Sequence, residues 1–406
     1  MASPVLIVGG GQAGVQLCMA LRREKYDGPI SLYCAEADYP YHRPPLSKSY
    51  VTGETSDDKL PMRPESFYEK NEVDLHLGVT VSGIDPSSQQ VVAGETSDTY
   101  ESLVLATGAR PRLLDWQHDA PAGVYALRDL ADARLIRQGL ADCRSLVIVG
   151  AGFIGLELAT AAAAKGVAVT VFETADRVMG RAVAPLISSW FEQTHRAAGI
   201  DIRLGTSVSG IEQQQGAVSA VHCADGSALA ADMVVVGIGV LPNIELAETA
   251  GLDCDGGIWV DEFCRTSVPS IYAAGDCAAH ENRFADGRRL RLESIQNATD
   301  QARTIAASIA GTPKPYSAVP WFWSDQGPHK LQMTGLSFDA DHYIQRGEPD
   351  AGRFSVFHYR GDRLLAVDSV NESRDHMVAR KLIEGAVSPT REQAGDVGFD
   401  LKSLIS

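Results

Sequence analysis

No Cys-x-x-Cys pair occurs in the 406-residue sequence; its seven cysteines (Cys18, Cys34, Cys143, Cys223, Cys254, Cys264 and Cys277) are dispersed. An odd, scattered set reads as reduced thiols and excludes a disulfide framework. Long apolar runs are also missing: none without charge approaches the ~18 residues that a membrane span needs. Positive charge is scarce, with 36 Lys and Arg against 52 Asp and Glu, a formal net charge of −16. Nucleic acid and anionic membranes both require a positive face, so neither is expected as the main partner. No Ser-His-Asp set, metal-ligand cluster or acid–base carboxylate pair occurs at a convincing spacing. The first strand begins at Val5, which leaves no room for a signal or transit peptide and makes the cytoplasm the expected location. What remains is an ordinary globular composition, 45% apolar and 22% charged, long enough for two or three domains.

The organising stretch is Val5-Leu6-Ile7-Val8-Gly9-Gly10-Gly11-Gln12-Ala13-Gly14. Four apolar residues read as a buried parallel strand, and Val15 to Leu21 has the spacing of a helix packed on it. Gly9, Gly11 and Gly14 fall on the dinucleotide fingerprint. The first makes the tight turn, the second admits a pyrophosphate, and the third lets helix and strand pack closely, with Gln12 and Ala13 opening the helix. A second strand, Ile30 to Cys34, ends at Glu36, 22 residues past Gly14, where a ribose-binding carboxylate is expected.

Tyr39 to Lys48 forms a proline-stiffened turn leading into a short helix, from which Arg43 and Lys48 project on a rigid support. A polar hairpin region runs from Val81 to Tyr100. The strand Ser102 to Leu105 then ends in Ala106-Thr107-Gly108-Ala109, a small-residue turn suited to close contact with a nucleotide. Pro111 marks a linker.

Leu146 to Ala159 repeats the opening motif, with Gly150, Gly152 and Gly155 on the fingerprint and Phe153 and Ile154 inside it. The partner strand Ala168 to Phe172 ends in Glu173, 18 residues past Gly155. A carboxylate there accepts hydrogen bonds from both adenosine ribose hydroxyls and repels a 2′-phosphate, favouring NADH over NADPH. Arg177 is the one feature that argues the other way. Two complete fingerprints about 140 residues apart imply two bound dinucleotides, and the economical pair is FAD with a nicotinamide cofactor. Asp232 to Val236 and Gly237-Ile238-Gly239 should close the second nucleotide domain. Ser270 to Ala273 reads as a strand leading to Gly275-Asp276 at a helix start, and Thr299 to Ala310 as the following helix. From Trp321 the texture changes to dense aromatics and period-two strands, with a hairpin turn at Gly361-Asp362 and a helix from Asp375 to Glu384, a third, α+β domain.

With both fingerprints, Arg43-Pro44-Pro45-Leu46-Ser47-Lys48, Gly275-Asp276 and Pro320-Trp321-Phe322-Trp323-Ser324-Asp325-Gln326 in view, the chain resembles the FAD- and NADH-dependent ferredoxin reductases of bacterial oxygenase systems. The resemblance implies an α/β fold of two Rossmann-like dinucleotide-binding domains, glutathione-reductase-like, plus a C-terminal α+β interface domain. It places the FAD-binding domain at 1–113 and 243–320, the NADH-binding domain at 114–242 and the interface domain at 321–406. It also implies roles: Arg43 and Lys48 beside the flavin, Lys48 paired to Glu157 at the nicotinamide end, and Asp276 on the ribitol chain. Trp321 and Trp323 would flank the isoalloxazine, and Glu293 matches a motif near the nicotinamide in which Ile295 replaces a frequent aromatic. The implied partner is a [2Fe–2S] ferredoxin feeding a haem monooxygenase or a Rieske dioxygenase.

Disulfide reductases and NADH peroxidases of the same broad superfamily attack with a cysteine beside the flavin. Here the corresponding turn reads Tyr41-His42-Arg43-Pro44, without a nucleophile. Two alternatives stay open: a rubredoxin reductase of the same build, and an NADH-sensing flavoprotein akin to apoptosis-inducing factor. For docking an acidic ferredoxin, Arg288, Arg289 and Arg291, or Arg374, Arg380 and Lys381, could supply a basic patch.

Overall fold

The computed structural model describes residues 4–405, and the chain falls into two compact units. One holds residues up to 42 with 60–110 and 241–320; the other holds 43–59, 111–240 and 321 onward. The first unit opens with β1 (Val5–Val8), buried along its whole length, followed by α1 (Gln12–Arg23). β2 (Ile30–Cys34) pairs parallel to β1, β3 (Val73–Leu77) pairs parallel to β2, and β4 (Ser102–Leu105) lies on the other side of β1. The polar segment between β3 and β4 folds as a separate three-stranded antiparallel sheet. Only one 3₁₀ turn, Pro44–Ser47, forms where a short helix was expected. The turn ends at Lys48, whose φ of −129° and ψ of −111° leave the helical region, whereas prolines in a first turn remove only N–H groups that have no intrahelical partner.

The second unit repeats this plan. β5 (Val124–Ala126), α2 (Leu130–Leu140), β6 (Ser145–Val149), α3 (Phe153–Ala164), β7 (Ala168–Phe172), α4 (Pro185–Ala197), β8 (Asp201–Arg203) and β9 (Met233–Val236) follow in order. Their strands form an all-parallel sheet ordered β8-β7-β6-β9-β5. Again a three-stranded antiparallel sheet, from Val208 to Ala230, is inserted before the strand that returns beside the first. The chain then re-enters the first unit with β10 (Ile271–Ala273), which pairs parallel to β4 and completes the order β10-β4-β1-β2-β3.

α5 (Ile295–Ile309) packs against α1 through Ala298, Ala302, Ile305 and Ala306. It starts a turn earlier than the sequence periodicity indicates. Ser294 caps it by accepting a hydrogen bond from the Asn297 N–H, so the polar residues of the first turn belong to the helix.

The C-terminal segment holds β11 (Trp321–Gln326), β12 (His329–Gly335), β13 (His342–Glu348), β14 (Arg353–Arg360) and β15 (Arg363–Val370), with α6 (Ser373–Glu384) after them. They form an antiparallel sheet ordered β11-β12-β15-β14-β13. Its inner face is not a separate core. Leu331, Phe354, Val356 and Val370 pack in one cluster with Leu156, Ala159, Ile187 and Phe191 of α3 and α4. Each such side chain stabilises by roughly 1.5–3 kcal/mol on burial, so the terminal sheet and the second nucleotide fold hold each other in place. No helix among the described residues is long and apolar enough to cross a membrane.

His376, on α6, is 2% exposed with its ring edge-on to Trp321 and its Nδ1 buried without a partner. Burial, reinforced by Arg380 and Lys330, lowers its pKa from 6.5 to about 4. The unfolded chain therefore takes up this proton near pH 6.5 and the folded protein only near pH 4, so stability is full above 6.5 and lost as pH falls between them. Denaturant melts at pH 7 and pH 5 should show a His376→Phe variant losing less stability on acidification than the parent, by roughly 2 kcal/mol. Equal losses in the two proteins would remove His376 as the acid-sensitive group.

Candidate functional site

The two glycine turns have the same internal logic. In the first unit Gly9 has φ +120°, and a Cβ on it would stand 2.1 Å from the Ala106 carbonyl oxygen; one on Gly14 would stand 2.1 Å from the Gly9 oxygen. In the second, a Cβ on Gly150 would meet the Gly237 oxygen at 2.4 Å, and one on Gly155 the Gly150 oxygen at 2.3 Å. These four glycines are demanded by backbone packing. Gly11 and Gly152 are different: a Cβ on either meets nothing within 4 Å. Each is also the N-cap of its helix, and neither α1 nor α3 has a side-chain cap. An open approach to an uncapped helix N-terminus is the surface a dinucleotide pyrophosphate needs. Both turns therefore fit the groups expected in them.

Around the first turn, Tyr41 donates to Glu36 Oε2 at 2.5 Å, which orients the carboxylate at the end of β2. The turn Ala106-Thr107-Gly108 is locked by Asn243: Thr107 Oγ1 donates to its carbonyl at 2.6 Å, and Asn243 Nδ2 donates to the Thr107 carbonyl at 2.9 Å. Gly275, at φ +80°, donates its N–H to Gln301 Oε1 at 2.8 Å, and Gln12 Nε2 donates to Thr299 Oγ1 at 3.1 Å. Arg291 donates to the Asp276 carbonyl at 2.9 Å and pairs with Glu293 at 2.8 Å, so these two acidic positions are drawn together by one guanidinium. Tyr41, Asn243 and Gln301 were missed in sequence, because each acts through a fold-dependent contact.

In the second unit Glu173 accepts from the Ala151 N–H at 2.8 Å and from the Ala175 N–H at 2.9 Å, which ties the end of β7 to the glycine turn. Arg177 is turned into its own loop, donating to the carbonyls of Val183, at 2.9 Å, and Gly180. A guanidinium so engaged is not presented to a 2′-phosphate. The backbone N–H of Gly237 donates to Val149 at 2.8 Å, which places Gly237-Ile238-Gly239 directly beyond the turn. Arg43 donates to the Arg128 carbonyl at 2.6 Å.

The chemical centre of this unit is Glu157. It is 5% exposed on an otherwise apolar helix, and Lys48 Nζ lies 2.7 Å from its Oε2. Ser47 Oγ donates to the same oxygen at 2.5 Å, and Ser324 Oγ donates to Oε1 at 2.6 Å. Strand period explains the rest of the Trp-Phe-Trp-Ser-Asp-Gln segment. Phe322, Ser324 and Gln326 share one face of β11: Phe322 packs on Phe153 at 4.9 Å between centroids, and Gln326 reaches His195. Trp321 and Trp323 share the other face, with centroids 5.6 Å apart and the Arg380 guanidinium 5.0 Å from the Trp321 centroid. Sequence reading singled out the tryptophans and passed over Ser324 and Gln326. Their alternation, polar residues at every second position of a strand facing an apolar helix, was the available signal.

All seven cysteines are free. Cys34, at the end of β2, is buried and its thiol is pushed up to about 12 by desolvation. Of the arginines considered for docking, Arg291 is engaged with Glu293, and Arg289 lies over Trp259 at 4.0 Å. On α6, Arg374 and Lys381 are exposed on either side of Met377, itself 65% exposed.

Gly11→Ala should fold with the stability of the parent yet retain little flavin after gel filtration, whereas Gly9→Ala should not fold. Flavin absorbance per polypeptide and a thermal melt separate the two. A Gly11→Ala protein that keeps stoichiometric flavin would show that no phosphate approaches this position.

The pyridine nucleotide-disulphide oxidoreductase family model matches residues 3–302, and the reductase C-terminal family model matches 321–405. The rhodocoxin reductase of Rhodococcus erythropolis is 45% identical over 403 residues, 99% of this chain and 94% of that one. Among solved structures, the ferredoxin reductase for the CYP199A2 system of Rhodopseudomonas palustris superposes with a TM-score of 0.96 at 44% identity, covering 99% of this chain and 100% of that one. The covalent putidaredoxin reductase–putidaredoxin complex gives 0.95 at 41% identity, covering 99% and 98%. Two glycine turns of one build, followed by the antiparallel terminal sheet, are thus accounted for from end to end: the chain belongs to the pyridine nucleotide-disulphide oxidoreductase family and carries its reductase C-terminal domain.

Proposed function

We propose that the protein is a cytoplasmic, FAD-containing reductase that takes hydride from NADH and passes single electrons to a [2Fe–2S] ferredoxin serving an oxygenase. The observation that carries this reading is the pair of equivalent glycine turns, each with a packing-free middle glycine and an uncapped helix N-terminus. Whole-length similarity to reductases named for ferredoxin partners supports it. The turn Tyr41-His42-Arg43-Pro44 carries no cysteine, which argues against disulfide chemistry.

We assign the FAD-binding domain to 1–113 and 243–320, the NADH-binding domain to 114–242 and the interface domain to 321–406. Bound FAD supplies the hydride-accepting N5 and the capacity to release electrons one at a time. The Gly9–Gly14 turn would hold its pyrophosphate at the open approach to Gly11, with Glu36 toward its ribose, Asp276 toward its ribitol, and Arg43, Trp321 and Trp323 toward its ring system. Glu173 holds the adenosine ribose of NADH and discriminates against NADPH. Lys48 would supply positive charge beside the bound flavin. The carboxylate of Glu157, 2.7 Å from Nζ, orients Lys48, and neither charge stands alone in a dry site. The ferredoxin's acidic surface meets the exposed cationic side of α6, where short-range contacts outweigh the repulsion between two acidic proteins at physiological salt.

Cytochrome c reduction with NADH should depend strongly on an added [2Fe–2S] ferredoxin, with NADPH far poorer and rubredoxin ineffective. Rapid flavin bleaching with no ferredoxin-dependent turnover would point to another acceptor, and slow bleaching with a long-lived reduced complex to a sensor. Lys48→Ala should lower the rate of flavin reduction about tenfold or more, the cost expected for losing one charge-assisted contact. Stopped-flow reduction at the parental rate in that variant would remove Lys48 from the mechanism.

A further inference from the structure

The hydrogen bonds on Glu157 do not end at Ser324. Gln326 Nε2 donates to Ser324 Oγ at 3.2 Å, and Gln326 Oε1 lies 2.7 Å from His195 Nε2 on α4. His195, Gln326 and Ser324 are all buried. Burial lowers the pKa of His195 and favours the neutral ring. Its Nε2 faces a carbonyl oxygen, so Nε2 carries the ring proton. Nδ1 is the acceptor; the nearby Thr160 hydroxyl, 3.5 Å away, already donates to the Leu156 carbonyl at 2.8 Å. Along this path the donors point one way, from α4 through β11 to the carboxylate on α3, while the second amide N–H of Gln326 goes to Met179 Sδ at 3.3 Å.

Resting on the reading that Glu157 and Lys48 serve hydride transfer, we propose that His195 and Gln326 are positioning residues for Glu157, acting through the Ser324 hydroxyl. A serine has one proton to give. Ser324 gives it to Glu157 because its other side is faced by an amide N–H rather than by an acceptor. That choice depends in turn on the amide's orientation, which is fixed because its oxygen requires a donor and only His195 supplies one among the groups bonded to it. Without the ring N–H, the buried Gln326 oxygen is either unsatisfied or turned toward Ser324. In the turned state an amide oxygen competes for the serine proton and no longer supports Ser324 as a donor, so its bond to Glu157 Oε1 is weakened. The carboxylate's charge is then concentrated on the side of Lys48, which is held more tightly and has less positive potential to offer the reduced flavin. Donors aligned in one direction also polarise one another, so the far end of the chain is felt at the carboxylate.

The test is stopped-flow flavin reduction by NADH in the holoenzyme, with the midpoint potential of the bound flavin measured separately. His195→Phe should slow reduction about tenfold while NADH Kd changes by less than about twofold, and should move the potential to a more negative value. His195→Gln, which keeps an N–H donor, should return the rate to within about threefold of the parent. In a Glu157→Gln background, His195→Phe should add nothing further. A parental rate and potential in His195→Phe, with Glu157→Gln slow, would overturn this inference and leave the site reading standing. Parental behaviour of Glu157→Gln would overturn the site reading itself. Independent, multiplicative losses in the double variant would mean that His195 only supports the fold. Should His195→Phe not fold, Gln326→Met breaks the same chain from the strand side and is judged by the same rate and potential.

Discussion

A carboxylate has been placed inside an apolar helix, and much of the second unit is arranged to make that tolerable. Glu157 lies one turn into α3, between Leu156 and Leu158, which are both fully buried. Desolvating such a group costs several kcal/mol unless its lone pairs are met and its charge is balanced. The partners come from two separate stretches of chain: Lys48 and Ser47 from the proline-stiffened turn, and Ser324 from β11, with Gln326 of the same strand behind it. This gives the 43–59 segment a reason to belong to the second unit, although sequence order places it among elements of the first. It also gives the terminal sheet a polar anchor within a contact that is otherwise apolar. A pair of this kind adds little net stability; what it specifies is where Lys48 can be.

The glycine turns obey a different constraint, one of distance between backbones. Gly9 and Gly150 sit where a neighbouring carbonyl approaches so closely that no side chain fits, and both have φ above +100°. The same carbonyl-to-glycine approach in both units follows from the same strand order, a central strand flanked by the one that supplies the turn's neighbour. Fold and ligand thus draw on separate glycines of one motif. The outer two are spent on packing, and the middle one leaves the helix N-terminus accessible.

That division explains what could be read in the sequence. Val5 to Gly14 and Leu146 to Gly155 announce strand, turn and helix locally, because composition and spacing carry the whole signal. Glu36 and Glu173 follow at fixed distances for the same reason. The α5 start was misplaced by a turn because a polar first turn hides the periodicity, and only the Ser294 cap marks it. Tyr41, Asn243 and His195 were not legible at all. Each is an ordinary residue in an ordinary stretch, and its role arises from a partner 5 to 136 positions away. Ser324 and Gln326 fall between these cases. Their alternation was present, but the neighbouring tryptophans drew the eye to the opposite face of the strand.

Electrostatics poses the last problem, since a protein with a net charge of −16 repels at long range any acidic partner of the kind proposed. Net charge acts at long range and is screened beyond about 8 Å at physiological ionic strength. Within that distance only the local surface counts, and there the cations of the chain are unequally available. Arg134, Arg291 and Arg353 are matched to carboxylates at 2.6–2.8 Å and present little net field. The exposed side of α6 is less completely neutralised: Arg374 lies 3.2 Å from Asp400, while Arg380 lies over the Trp321 ring rather than against an acid. A cation held on an aromatic face keeps its charge outward and its stem packed. The ring beneath it belongs to β11, whose other face carries Ser324 and Gln326. One strand therefore bonds the carboxylate that fixes Lys48 on one side and carries a cation-bearing tryptophan on the other, so the two charged groups lie a single strand's thickness apart.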